Sequence, residues 1–326
     1  MLADLPLLAA LLLIGGLVLL VVASDQLVAG AARLSSRMGI APVLVGVIII
    51  GFGTSMPELL VSVLAAFEGV FDLGVGNIIG SNIANVLLVL GFAAVVGPVV
   101  VSPAIVRREV PMSLIGVLLF AVAIQGALSR TVAALLALAL VAALGALVLF
   151  ARRSGTATAP GLDTLDEVLE ESGPAGPRVG RELARSLVGL IGTLAGAQMV
   201  VVGGSEIALA VGLSDAFVGL TMVAVGTSLP ELAAAVQSVR RRATDLLVGN
   251  ILGSNLFNSL AVGPVVVWTG ASLGQVVTPD LAGRVTVLMI AAVVGVSVLL
   301  TRRRIDRIAG LVLLTAYVVS VVIMAN

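Results

Sequence analysis

The chain has 326 residues, of which 60 % are hydrophobic and 11 % charged, with zero net charge, no cysteine and no histidine. Soluble domains lie nearer about 45–50 % apolar and about 25 % charged, so this is the composition of an integral membrane protein, and a mean hydropathy of +1.22 agrees. The missing residue types exclude a disulfide framework, thiolate or imidazole metal sites and histidine-based catalysis, and no phosphate-binding loop points to direct coupling to ATP.

About 20 apolar residues cross a bilayer core of about 30 Å, and breaks at charges or Gly/Pro clusters cut the chain into ten such stretches. The first is 7–32. Its leading residues lack basic charge and Arg33 and Arg37 follow the apolar run, so it reads as a transmembrane helix with its N-terminus outside rather than a signal peptide. Next come 41–67, 74–96, 110–127 and 131–150, the last two parted by a turn near Ser129–Arg130. A polar insertion then carries Asp163, Asp166, Glu167, Glu170 and Glu171. Thr164 with Glu167 fits a capping box for a short helix over 164–171, and the insertion reads as a solvated cytoplasmic linker rather than a cation sensor. The remaining stretches are 184–209, 216–239, 246–268, 283–301 and 306–325. All 18 basic residues are arginines, and this topology puts 16 inside and two, Arg130 and Arg284, outside. That is the asymmetry the positive-inside rule demands.

A shift of 173 residues lays Gly46, Gly53, Thr54, Ser55, Pro57 and Glu58 on Gly219, Gly226, Thr227, Ser228, Pro230 and Glu231. The same shift lays GNIIGSNIAN (Gly76–Asn85) on GNILGSNLFN (Gly249–Asn258), with seven of ten positions identical. Each half holds five spans, an odd number, so the second half enters the membrane from the opposite side. The expected fold is therefore all-α and polytopic: ten transmembrane helices as two inverted five-helix repeats, with both termini external. The repeats are expected at 1–151 and 183–326, with motifs over 46–85 and 219–258 and the linker over 152–182. Inverted repeats are a transporter architecture that places substrate at their interface near the midplane.

Within GTSMPEL, Thr54, Ser55 and Glu58 share one helix face. Pro57 removes the N–H owed to the Gly53 carbonyl, so a broken helix is expected there, offering free carbonyls beside two hydroxyls and a carboxylate. Residues 224–231 are expected to repeat it. Ser81 with Asn85, and Ser254 with Asn258, are again four apart. Asn77 and Asn250 fit either ligands or helix ties, Asn82 and Asn255 fit ties better, and the GNxxG spacing suits close helix packing. Carboxylate, hydroxyl, amide and carbonyl oxygens form a hard-cation donor set. Intramembrane carboxylates are functional by default, and two glutamates match one divalent ion, two monovalent ions or two protons. Asp25 and Glu206, late in the first span of each half, read as interfacial or gate charges rather than central ligands.

These paired motifs resemble the two alpha-repeats of the calcium/cation antiporter superfamily, which includes sodium/calcium exchangers, and the resemblance covers essentially the whole chain. It implies a Ca²⁺ site at Glu58 and Glu231. It implies flanking Na⁺ sites from Thr54, Ser55, Thr227, Ser228, Ser81, Ser254, Asn85 and Asn258, with carbonyls near Gly51 and Ala224. It also implies that spans one and six slide against the core. The position of Asn258 is often aspartate in sodium/calcium exchangers; here both halves carry asparagine, leaving two central carboxylates. The expected function is antiport of Ca²⁺ against Na⁺, the alternative being H⁺- or Li⁺-coupled or other divalent antiport, with a passive channel less well matched. No enzymatic activity, cofactor or nucleic-acid partner is expected. The partners are inorganic cations and the lipid of a prokaryotic inner membrane, and a single chain is expected to suffice.

Overall fold

The structure is a computed structural model that describes residues 5–153, 179–210 and 215–325, with side chains over 7–150, 179–210 and 226–324. The acidic linker and its expected short helix lie outside the described residues. In chain order the helices are α1 (Leu5–Met38), α2 (Pro42–Thr54), α3 (Met56–Phe67), α4 (Phe71–Val96), α5 (Pro103–Arg107), α6 (Glu109–Ala123) and α7 (Arg130–Arg153). After the linker come α8 (Val179–Ala210), α9 (Asp215–Arg240), α10 (Thr244–Leu273), α11 (Leu281–Leu300) and α12 (Arg307–Ala325). Among the described residues seven helices are long and apolar enough to cross a membrane, or eight if the bent pair α2–α3 is one span. The helical breaks follow the sequence-derived stretches to within a few residues. One feature departs from an all-α chain: β1 (Val99–Val100) pairs antiparallel with β2 (Arg304–Ile305), joining two loops.

Polarity is distributed inside out relative to a soluble domain. Val122, Val141 and Ile308 are exposed, whereas Asn82, Asn255, Ser254 and Ser259 are fully buried. An apolar exterior with hydrogen-bonding side chains inside is the arrangement that lipid favours, because lipid tails compete for apolar contacts but not for polar ones. α4 and α10 sit at the centre: 78 % and 67 % of their apolar windows are buried, against 17 % for α7 and α12. These two helices carry the GN-x-x-GSN motifs.

The 173-residue shift reappears in the backbone. Phe71–Ala84 and Thr244–Phe257 are both 14-residue α-helical stretches, and each passes into a five-residue π-helical segment, Asn85–Val89 and Asn258–Val262. Such widened turns are rare and concentrate at functional sites. Asn85 and Asn258 open them.

α1 and α8, of 34 and 32 residues, run side by side. Glycines permit the contact: a Cβ at Gly189 would stand 2.4 Å from Leu27 N, and one at Gly203 would stand 2.6 Å from Leu13 N. At 1.5 Å per residue α1 is about 51 Å long, well beyond a core of about 30 Å, so the pair must tilt or project beyond it.

The chain bends by 46° between α2 and α3. Ser55 sits at the corner with φ −81° and ψ 7°. The cause is local: Pro57 lies in the first turn of α3, where its missing N–H costs nothing, but its ring opposes the carbonyl four residues back. A π-helical segment, Gly46–Gly51, widens α2 just before the break. The expected counterpart over 224–231 is corrected here. α9 runs unbroken from Asp215 to Arg240 with Pro230 inside it, so the same residues do not open the second helix.

Candidate functional site

The two glutamates come from opposite halves and end in the same buried region. Glu58, in the first turn of α3, is 3 % exposed, and Glu231, in α9, is 1 % exposed. Ser55 Oγ donates to Glu231 Oε1 at 3.1 Å, and the buried Thr227 hydroxyl stands beside the Glu58 carboxylate. Each half therefore supplies a hydroxyl to the other half's carboxylate. Oε2 of each glutamate is buried with no hydrogen-bond partner. Buried polar atoms are satisfied in the great majority of cases, so an orphan oxygen on each glutamate marks a place able to hold something else.

The surrounding polar residues differ in whether their side chains are already engaged. Asn258 is 1 % exposed, and neither its Oδ1 nor its Nδ2 has a partner, which leaves the amide oxygen available to a cation. Ser81, Ser228 and Ser254 are buried as well. Thr54 Oγ1 is engaged with Ile50 O at 2.9 Å and Asn250 Oδ1 at 3.3 Å. Asn77 Nδ2 donates to Glu58 O at 3.1 Å and Ser62 Oγ at 2.9 Å, pinning the backbone that carries the carboxylate. Asn82 and Asn255 are ties, as their positions suggested. Asn82 Nδ2 reaches Ser259 Oγ at 3.1 Å, Asn255 Nδ2 reaches Asn82 O at 3.4 Å, and Asn255 Oδ1 accepts from Asn85 Nδ2 at 3.1 Å. Together they lock α4 against α10.

One expectation is revised: the carbonyl of Gly51 is not free. It accepts from Ser55 N at 3.2 Å and from Ser254 Oγ at 3.2 Å, which exhausts its two lone pairs. Ala224 lies within the continuous α9, and its side chain is outside the described residues. Ser62 and Ser259 were not singled out in the sequence. Neither has a hydroxyl counterpart at the 173-residue shift (Ala235 and Val86), so the repeat could not flag them.

Among the described residues no salt bridge engages either central glutamate, and no three acidic, histidine or cysteine groups converge. The central charge is thus a bare pair of carboxylates. Asp25 is held in an ion pair: Arg241 Nε and Nη2 grip its two oxygens at 2.8 and 2.7 Å, tying α1 to the end of α9. Glu206, its counterpart in the second half, is exposed.

A sequence profile described as "Sodium/calcium exchanger protein" matches residues 8–152 and 182–326. The provisionally named antiporter CaxA of Alkalimonas amylolytica is 35 % identical over 96 % of this chain and 97 % of its own. Inner membrane protein YrbG of Escherichia coli is 38 % identical over 78 % of each chain. Among solved structures, the sodium-calcium exchanger NCX_Mj soaked with Na⁺ and Sr²⁺ superposes with a TM-score of 0.80 at 28 % identity, covering 97 % of this chain and 98 % of that one.

Proposed function

From the premise that this chain belongs to the sodium/calcium exchanger family, we propose that it is a secondary active antiporter exchanging Ca²⁺ for Na⁺ across a prokaryotic inner membrane. All ten helical stretches cross in this reading, as two inverted repeats with both termini external, and one chain suffices. The observation that carries it is the pair Glu58 and Glu231, buried, one from each half, each with an orphan Oε2.

The physical argument is electrostatic. Moving a carboxylate from water into a medium of low dielectric costs on the order of 20 kcal/mol in the idealised limit and several kcal/mol after relaxation. An empty doubly charged site is therefore a barrier to any motion that seals it from water. Ca²⁺ neutralises both glutamates at once; Na⁺ ions, or protons, do so separately. Because the ions compete for the same oxygens, the site carries one or the other, and only neutralised forms switch sides. That exclusion couples the two fluxes.

Glu58 and Glu231 form the Ca²⁺ site in this reading. Thr54, Ser55, Thr227, Ser228, Ser81, Ser254, Asn85 and Asn258 supply the flanking oxygens for Na⁺. α1 and α8 slide as a unit over α2, α3 and α9, their glycine seam keeping them together. A second reading, exchange of Ca²⁺ for H⁺, is favoured by one observation: asparagine stands at both 85 and 258, so only two carboxylates have to be neutralised.

Uptake of ⁴⁵Ca²⁺ into proteoliposomes under imposed Na⁺, Li⁺, K⁺ or H⁺ gradients tests both readings. Uptake that needs outward-directed Na⁺ and vanishes in Glu231→Gln supports Na⁺ coupling. Uptake that persists without Na⁺ and follows the pH gradient replaces it with proton coupling. Ca²⁺ flux independent of any counter-ion defeats antiport altogether.

A further inference from the structure

A second concavity, apolar over much of its wall, lies along the helices from the glutamates, on the face where the arginines gather. It encloses about 870 Å³ and is walled by the start of α2, residues of 96–103, the turn after α9 and the turn after α11. Two arginine triplets distant in sequence contribute to it: Arg240 and Arg242 from one, and Arg302, Arg303 and Arg304 from the other. Asp245 is the one carboxylate in the wall.

An arginine excess on this face follows from orientation in a membrane, but orientation does not require the arginines to meet. The backbone brings the loops that carry them to the rim of one cavity. β1 pairs with β2 in the register Val99↔Ile305 and Val100↔Arg304. Val101 N donates to Arg303 O at 2.9 Å, and Thr244 Oγ1 donates to Val100 O at 2.8 Å. Three separate loops are held around one cavity by these bonds.

A second observation concerns conformation. Among the described residues only two that are not glycine have positive φ, Arg242 at 56° and Arg303 at 59°. Both are in the wall. Left-handed residues that close a helix are usually glycine, and strain of this kind persists where function requires the side chain. Like charges assembled around a cavity repel, and an anion between them reverses the sign of that interaction. Guanidinium groups match the geometry of phosphate oxygens through paired hydrogen bonds. The wall also includes Val96, Val100 and Val239, apolar surface that an acyl or glycerol moiety would contact. Basic pockets between transmembrane helices on the cytoplasmic side suit such headgroups.

We propose that this cavity is a binding site for a phosphate-bearing anion, supplied either as the headgroup of an anionic phospholipid or as a soluble phosphate. It is independent of the transport site and of the coupling ion. The test uses the full chain in detergent, measuring the binding of phosphatidylglycerol and phosphatidylcholine by native mass spectrometry and of inorganic phosphate by calorimetry. Arg240→Gln/Arg302→Gln/Arg304→Gln removes three charges from the wall. Arg37→Gln/Arg107→Gln/Arg181→Gln removes three exposed charges from the same face outside it.

The expected result is selective phosphatidylglycerol or phosphate binding that weakens roughly tenfold or more in the first variant and less than twofold in the second. Phosphatidylglycerol binding that inorganic phosphate does not displace assigns the site to lipid; phosphate binding with the same arginine dependence assigns it to a soluble anion. Equal weakening in both variants would reduce the effect to the general charge of the face and overturn the proposal, as would failure of both ligands to bind. If the triple variant does not elute as a folded species, Arg302→Gln alone is expected to weaken binding about threefold or more.

Discussion

GTSMPEL and GTSLPEL agree at six of seven positions, yet they occupy different backbones. The first straddles a 46° corner at Ser55, with Pro57 in the opening turn of a new helix. The second lies in one continuous helix with Pro230 in its interior. In the second half the GNxxG glycines are packed against α2, where a Cβ at Gly249 would stand 2.4 Å from Val43 O and one at Gly253 2.7 Å from Val47 Cα. Near-identical motifs thus adopt two backbones within one chain.

The carboxylates test whether the asymmetry reaches the site itself. Glu58→Gln and Glu231→Gln are each expected to weaken Ca²⁺ binding by roughly 100-fold, about 3 kcal/mol, read by ⁴⁵Ca²⁺ binding to purified protein. Similar losses would place the asymmetry in the scaffold alone. If one variant bound Ca²⁺ like the wild type, the shared site would have to be abandoned.

Packing comes next. Gly249→Ala pushes a methyl into the Val43 carbonyl and is expected to cost about 1–3 kcal/mol, seen as a lower unfolding temperature in detergent. An unfolding temperature equal to that of the unsubstituted chain would break the reading that α10 and α2 are closely packed there.

The prolines separate local from tertiary causes. Pro230→Ala restores the N–H that Gly226 O lacks and is expected to stabilise the chain by about 1 kcal/mol or more while slowing exchange. Pro57→Ala, in a first turn where proline is tolerated, is expected to change stability by less than about 1 kcal/mol. Equal effects on melting temperature would mean that the two helices are more alike than they look.

The smallest effect concerns Asp25 and Glu206. Asp25→Asn loses a partly exposed pair with Arg241 and is expected to cost about 0.2–1 kcal/mol, diminishing with salt. Glu206→Gln, exposed, is expected to change nothing measurable in the same melting experiment.

Much of this was legible beforehand because in lipid the physical rules are few. A span must be about 20 residues long and a charge inside it is rare, so the helical stretches and the two glutamates stand out from the sequence. The repeat located Glu231 from Glu58 and Asn258 from Asn85. What stayed hidden has particular reasons. Ser62 and Ser259 have no repeat partner. The π-helical turns at Asn85 and Asn258 arise from packing rather than propensity. The Gly51 carbonyl was expected to be free because its partner Ser254 is 203 residues away. Pro230 does not break its helix although Pro57 ends one.

By itself the sequence determined that this chain lies in a membrane, that it is built twice, and that each copy brings one carboxylate and a set of neutral oxygens. Those properties are written in burial cost and periodicity, which act along the chain. Only the tertiary structure decided which hydroxyl meets which carboxylate, which oxygens are left without partners, and that two distant arginine turns share one cavity. These depend on distances between helices far apart in sequence, set by how closely glycine lets one backbone approach another.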